Sequence, residues 1–172
     1  AIAVIVGAVP GAMPCLIGWA AGQNELSAGG WSLFAIQFLW QFPHFWAIAW
    51  IAHKDYAGAG FRLLPGEKDP TRYTALQAII YAVLLIPAGF IPFMTGISGQ
   101  LSVWIVLAAN LFMLAQCVRL YKEMKTGAAK RVMFSSYIYL PVVLLALLAD
   151  KIPPTPKGEP GSFISIINSF LI

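Results

Sequence analysis

Trp40-Gln41-Phe42-Pro43-His44-Phe45-Trp46 sets a histidine near the middle of a long apolar run, and that run ends in the charged cluster Lys54-Asp55-Tyr56. An ionisable side chain inside a membrane span is costly, so one found there is a functional candidate by default. Composition supports reading the run as a span. The chain is 59% hydrophobic and 10% charged, with a mean hydropathy of +0.76, where soluble domains carry about 25% charged residues. Five stretches reach or approach the roughly 20 apolar residues that cross a bilayer: 1–21, 31–52, 73–95, 101–121 and 132–149. The expected fold is all-α, a polytopic bundle of transmembrane helices.

Several details refine that expectation. Pro10 and Pro14 predict a first span that is kinked or broken. Cys15 and Cys117 both fall inside spans, so a disulfide is not expected, and C-x-x-C metal spacing is absent. Pro153-Pro154-Thr155-Pro156 marks a stiff linker over 151–161. The apolar tail 162–172 is too short to span and could lie along the interface. Because Ala1 already sits inside an apolar run, the chain reads as a segment entered midway through a longer protein.

Charge fixes an expected orientation. Lys54, Arg62, Lys68 and Arg72 fall in one loop, and Arg119, Lys122, Lys125, Lys130 and Arg131 in another. These nine of the 11 Lys and Arg residues share one side if the spans alternate. Loops 22–30 and 96–100 carry none. The positive-inside bias places loops 53–72 and 119–131 in the cytoplasm. The net charge of +4 follows from this topology and does not indicate a nucleic-acid surface.

On a helical projection Gln37, Gln41, His44 and Asp55 fall within roughly 60° of one another, provided that the helix continues. For the glutamines two readings stand: bonds to neighbouring helices, common for polar residues in bundles, or contacts to substrate. His44 is the stronger functional candidate. Eleven residues of helix put it roughly 16 Å from Asp55, too far for a dyad or a shared metal. The two could hold the ends of one long amphiphile, or two substrates. Pro43 removes an intrahelical bond and bends the chain just before His44, which favours a shaped cavity.

Loop 53–72 collects His53, Lys54, Asp55, Tyr56, Arg62, Lys68 and Arg72. A carboxylate beside Lys and Arg at a membrane surface suits a diphosphate held through Mg2+, with hard oxygen ligation from Asp and charge neutralisation from the cations. It equally suits an ordinary positive-inside loop with Asp55 as a solvated counter-charge.

Phe38-Leu39-Trp40-Gln41-Phe42-Pro43-His44-Phe45-Trp46, then Ala49-Trp50, Lys54-Asp55-Tyr56, Ala59-Gly60-Phe61 and Leu64-Pro65, resembles the signature of the heme O synthase family, the UbiA-type protoheme farnesyltransferases. Gly11-Ala12-Met13-Pro14 with Gly18-Trp19 is similar to another family segment, with Cys15 replacing a second proline. Phe134-Ser135-Ser136-Tyr137 and Tyr139-Leu140 resemble its last helix. The resemblance covers most of 1–150 and implies part of a nine-span bundle that moves a farnesyl group from farnesyl diphosphate to a vinyl group of heme B, giving heme O. It implies Mg2+ as cofactor, with Asp55 as the metal-side acid and Lys54, Arg62 and Arg72 as diphosphate partners. Trp40, Gln41, His44, Gln37 and Tyr56 would line the substrate cavity, His44 positioning substrate or ligating the heme iron. Heme A synthase or oxidase-assembly proteins would be partners. Two departures stand out. The family's first acidic motif would lie before residue 1, and its second, often Asp-x-x-x-Asp, has Ala59 four residues after Asp55 and Ile51 four before. One carboxylate holds magnesium poorly, so this segment alone is expected to be inactive. The alternatives are a prenyltransferase for an aromatic or quinone-precursor acceptor, and a transporter or structural membrane subunit.

Among the remaining polar and small residues, Asn110 and Gln116 are expected to bond between helices. Gly7 and Gly11, four apart, predict close helix packing. Trp19, Trp31 and Trp104 fit interfacial anchors.

Overall fold

The computed structural model describes residues 2–60, 63–64 and 69–153, and these form six helices: α1 (Ile2–Gln23), α2 (Ala28–Ile51), α3 (His53–Gly58), α4 (Arg72–Met94), α5 (Gln100–Glu123) and α6 (Thr126–Ala149). Among the described residues there is no strand, only an isolated antiparallel bridge between Ser98 and Lys151. Helix is what such apolar runs must adopt in lipid, because it satisfies every backbone polar group within the segment. Arg62, most of linker 151–161 and the whole tail 162–172 lie outside the described residues.

Four helices are long and apolar enough to cross a membrane: α1 from Val4, α4, α5 and α6. The chain is an integral membrane protein. Helix α2 has the length, 24 residues or about 36 Å, but its glutamines, histidine, proline and tryptophans lower its hydropathy. It can carry them because other helices enclose it. It packs on α1, α4 and α6, while α5 packs on α4 and α6. Helices α2, α4, α5 and α6 thus close a four-membered ring, with α1 flanking α2.

Three local features depart from the sequence reading. Helix α1 runs unbroken through Pro10 and Pro14, a tolerance that transmembrane helices show for proline; Gln41 and Gln37 of α2 bond the carbonyls of Ala8 and Gly11, beside the Val6 and Pro10 carbonyls that the two prolines free. Helix α6 starts at Thr126 rather than near 132, six residues of polar lead-in on the charged end. Trp19 is no simple interfacial anchor: its indole N–H donates to Ser27 Oγ at 2.8 Å and its ring fills the space beside Gly29 and Gly30.

The ends of the helices are tied down. At one end the Asp150 carboxylate, just past α6, accepts the Ser102 N–H at 2.7 Å, satisfying an orphan donor at the start of α5. At the other end Glu123 accepts from both Arg119 and Arg131 at 2.5 Å, clasping the two-residue turn into α6. In between, Asn110 of α5 donates to the Leu85 carbonyl of α4 at 3.1 Å and accepts from the Tyr139 hydroxyl of α6 at 2.6 Å. One buried amide joins three helices.

Candidate functional site

His44 is buried at the seam between α2 and α6. It lies seven residues before the end of α2, roughly 10 Å of helix rise, so it sits on the charged side of mid-span. Its Nδ1 is 2.7 Å from Ser136 Oγ. The Trp40 ring stacks on the imidazole with centroids 4.9 Å apart and planes 13° off parallel. The Trp40 N–H also ends on Ser136, donating to its carbonyl at 3.0 Å. Phe45 and Tyr137 stand edge-on to the imidazole at 5.3 and 5.2 Å. The four-residue spacing of Trp40 and His44 makes the stack; a single residue of α6 fixes both rings.

The helix face predicted to join four polar residues divides. Gln41 Nε2 donates to the carbonyls of Ala8 and Gln37, each at 3.2 Å, and Gln37 Nε2 to the Gly11 carbonyl at 3.5 Å. The Cys15 thiol donates to Gln37 Oε1 at 3.2 Å. Both amides therefore hold α1 against α2. Gly11 makes this approach possible: a Cβ there would stand 2.2 Å from Gln41 Oε1, whereas Gly7 has nothing within 4 Å. Close packing needs Gly11 and not Gly7.

Asp55 does not extend the same helix. Helix α2 stops at Ala52, whose ψ of 18° is no longer helical. His53 turns back there and donates from Nδ1 to the Trp50 carbonyl at 2.9 Å, satisfying a helix-end acceptor. Asp55 belongs to the short helix α3, where it and Lys54 are exposed and Tyr56 is partly buried. Neither Lys54 nor Asp55 has an ion-pair partner among the described residues. Arg72 opens α4, its guanidinium 5.8 Å over the Tyr121 ring of α5. Asp69 lies 3.7 Å from His53 Nε2.

For a metal, the described residues hold no group of three or more His, Cys, Asp or Glu side chains. Magnesium usually takes one or two carboxylates plus substrate phosphates and waters. The exposed, unpaired Asp55 fits as one such ligand. It is not a site by itself.

Sequence reasoning passed over Ser136 as a functional residue, because a serine in an apolar helix looks like any small polar residue. Its only signal was a place in the Phe134-Ser135-Ser136-Tyr137 string. Asp150 gave no signal, since its role depends on a turn 48 residues away.

Comparison with known proteins adds a separate line. The UbiA prenyltransferase family profile matches residues 1–140. The chain is 47% identical to a protoheme IX farnesyltransferase of Cytophaga hutchinsonii over 154 residues, 88% of this chain and 53% of that protein. It is 44% identical to one from Solibacter usitatus over 146 residues, 85% and 50% of the two chains, and 39% identical to one from Myxococcus xanthus, covering 88% and 51%. The chain spans about half the length of the curated relatives it matches. No solved structure matches it.

Proposed function

The chain belongs to the UbiA prenyltransferase family, and from that premise we propose that it supplies the acceptor wall and one donor-side carboxylate of a protoheme IX farnesyltransferase. In this reading the farnesyl group of farnesyl diphosphate passes to a vinyl group of heme B, giving heme O. The observation that carries it is the Trp40–His44 stack, fixed twice to Ser136 and buried roughly two helical turns from the charged end. A rigid aromatic pair with one polar edge, flanked by the exposed rings of Phe45 and Tyr137, suits a porphyrin.

The chemistry divides by depth. The allylic carbon–oxygen bond breaks with its electron pair leaving on diphosphate; the vinyl π pair then forms the new carbon–carbon bond, and the carbocation left on the other vinyl carbon is quenched by a water molecule, which gives up a proton. Lys54, Arg62 and Arg72 offer positive charge where the leaving group's charge develops, the stabilisation that counts most in such a step. A divalent metal, when bound with Asp55 as one ligand, adds charge neutralisation at the diphosphate. Trp40, Phe45 and Tyr137 keep water from the allylic cation. His44 positions the acceptor, and Tyr56 lines the way between the two levels. The basic end faces the cytoplasm, in keeping with the positive-inside bias.

The test is made on the intact protein in membranes or detergent. His44→Ala is expected to abolish heme O formation while sparing magnesium-dependent diphosphate binding. Asp55→Asn is expected to weaken both. Wild-type turnover in both variants would sink the assignment, and equal loss of diphosphate binding in both would refute the two levels.

A further inference from the structure

The hydrogen bonds around Ser136 have a direction. A carbonyl oxygen can only accept, so the 2.6 Å contact from Ser136 Oγ to the Met133 carbonyl carries the hydroxyl proton. A serine hydroxyl has one proton to give. The 2.7 Å contact between the same Oγ and His44 Nδ1 must then be made with a proton from the imidazole. The ring cannot trade its edges freely: turning it over would replace Nδ1 with a carbon and lose the bond. The Trp40 ring, held by its N–H on the Ser136 carbonyl, lies flat against one face of the imidazole.

The geometry points to Ser136 as a positioning residue that holds His44 in its Nδ1–H tautomer and leaves Nε2 unprotonated, a lone-pair donor. Among the described residues nothing bonds Nε2, and it is not one of the buried polar atoms left without a partner. A histidine whose far nitrogen is fixed by a hydrogen bond is the arrangement by which proteins choose what the near nitrogen can do. Here the near nitrogen recognises an electron-pair acceptor on the prenyl acceptor, either a Lewis-acidic centre or an acidic proton. It does not donate an N–H to a carbonyl or an anion. The ligand in this statement rests on the proposed function; the tautomer does not.

Nitrogen-15 spectra of histidine-labelled intact protein read the tautomer directly, with the His44 signals assigned by their loss in His44→Gln. The expected wild-type spectrum shows a protonated Nδ1 and a bare Nε2. Ser136→Thr keeps the hydroxyl and is expected to keep that spectrum. Ser136→Ala removes the acceptor and is expected to shift His44 to a tautomer mixture, with prenyl-transfer kcat/KM down roughly 10–100-fold, as for other partners of this kind. Threonine is expected to restore most of it. An Nε2–H imidazole in the wild type overturns the inference, as does an unchanged tautomer in Ser136→Ala; the wild-type spectrum decides alone if the alanine variant does not fold. A wild-type protein with the expected tautomer but without prenyl transfer overturns the proposed function and upholds the inference.

Discussion

Replacing Gly11 with alanine and replacing Gly7 with alanine add the same methyl group to the same helix, and the structure gives them opposite signs. At Gly7 a Cβ meets nothing within 4 Å, so the change gains the roughly 0.5–1 kcal/mol by which alanine exceeds glycine in a helix interior. At Gly11 a Cβ would stand 2.2 Å from Gln41 Oε1, where a relaxed carbon–oxygen contact is about 3.3–3.6 Å. The Gln41 carboxamide must retreat by about 1 Å. Its bonds to Ala8 and Gln37 are already 3.2 Å, at the long end of the usual range, so both break. Gln41 is 3% exposed, and a buried amide stripped of partners costs about 1–3 kcal/mol. Set against the propensity gain, Gly11→Ala is expected to destabilise by about 1 kcal/mol, and by no more than roughly 2.5 kcal/mol. Unfolding of the intact protein in mixed micelles, followed by circular dichroism, measures both variants. Gln41→Ala supplies the control: in its background the Gly11 penalty is expected to vanish. Equal effects at Gly7 and Gly11, or a Gly11 penalty that persists without Gln41, would refute the reasoning.

Two further stability predictions follow from the ends and the centre of the bundle. Asn110→Leu is expected to cost about 1–2 kcal/mol, from the lost bond to Leu85 and the stranded Tyr139 hydroxyl; adding Tyr139→Phe is expected to recover part of that, a non-additivity that a double-mutant cycle in the same unfolding assay detects. Asp150→Ala is expected to cost about 0.5–2 kcal/mol, as the loss of a helix cap does, and to speed hydrogen exchange at Ser102, whose N–H it leaves unbonded.

The helical architecture was legible because lipid leaves a chain few choices. Runs of about 20 apolar residues can only be helices, and nine basic residues in two loops placed those loops together. Asn110 was legible on the same ground, as a lone amide in hydrocarbon bonded to other helices; Gln116 carried the same expectation and departs from it, its Oε1 buried without a hydrogen-bond partner among the described residues. Other features were hidden by geometry that no periodicity encodes. The projection that aligned Asp55 with His44 assumed a straight helix, and a histidine bonded back to Trp50 ends it at Ala52. The two glutamines shared a face with His44, but which neighbour met which part of that face depended on how α1 and α6 lie across α2. Ser136 lies 92 residues from His44, and no local pattern joins them. Gly7 and Gly11 looked alike at four-residue spacing, and only the position of Gln41 tells them apart.

The break at Ala52 has a consequence for how this protein can change. Because α3 begins anew there, Lys54 and Asp55, which the proposed function sets against the leaving group, hang on a separate short element, while Trp40 and His44 are bolted through Ser136 to α6. Under the proposed function, substitutions along the facing sides of α2 and α6 reshape the acceptor side without re-aiming Asp55. If that reading holds, a lineage of such proteins is free to exchange one acceptor for another while the short helix α3 stays as it is.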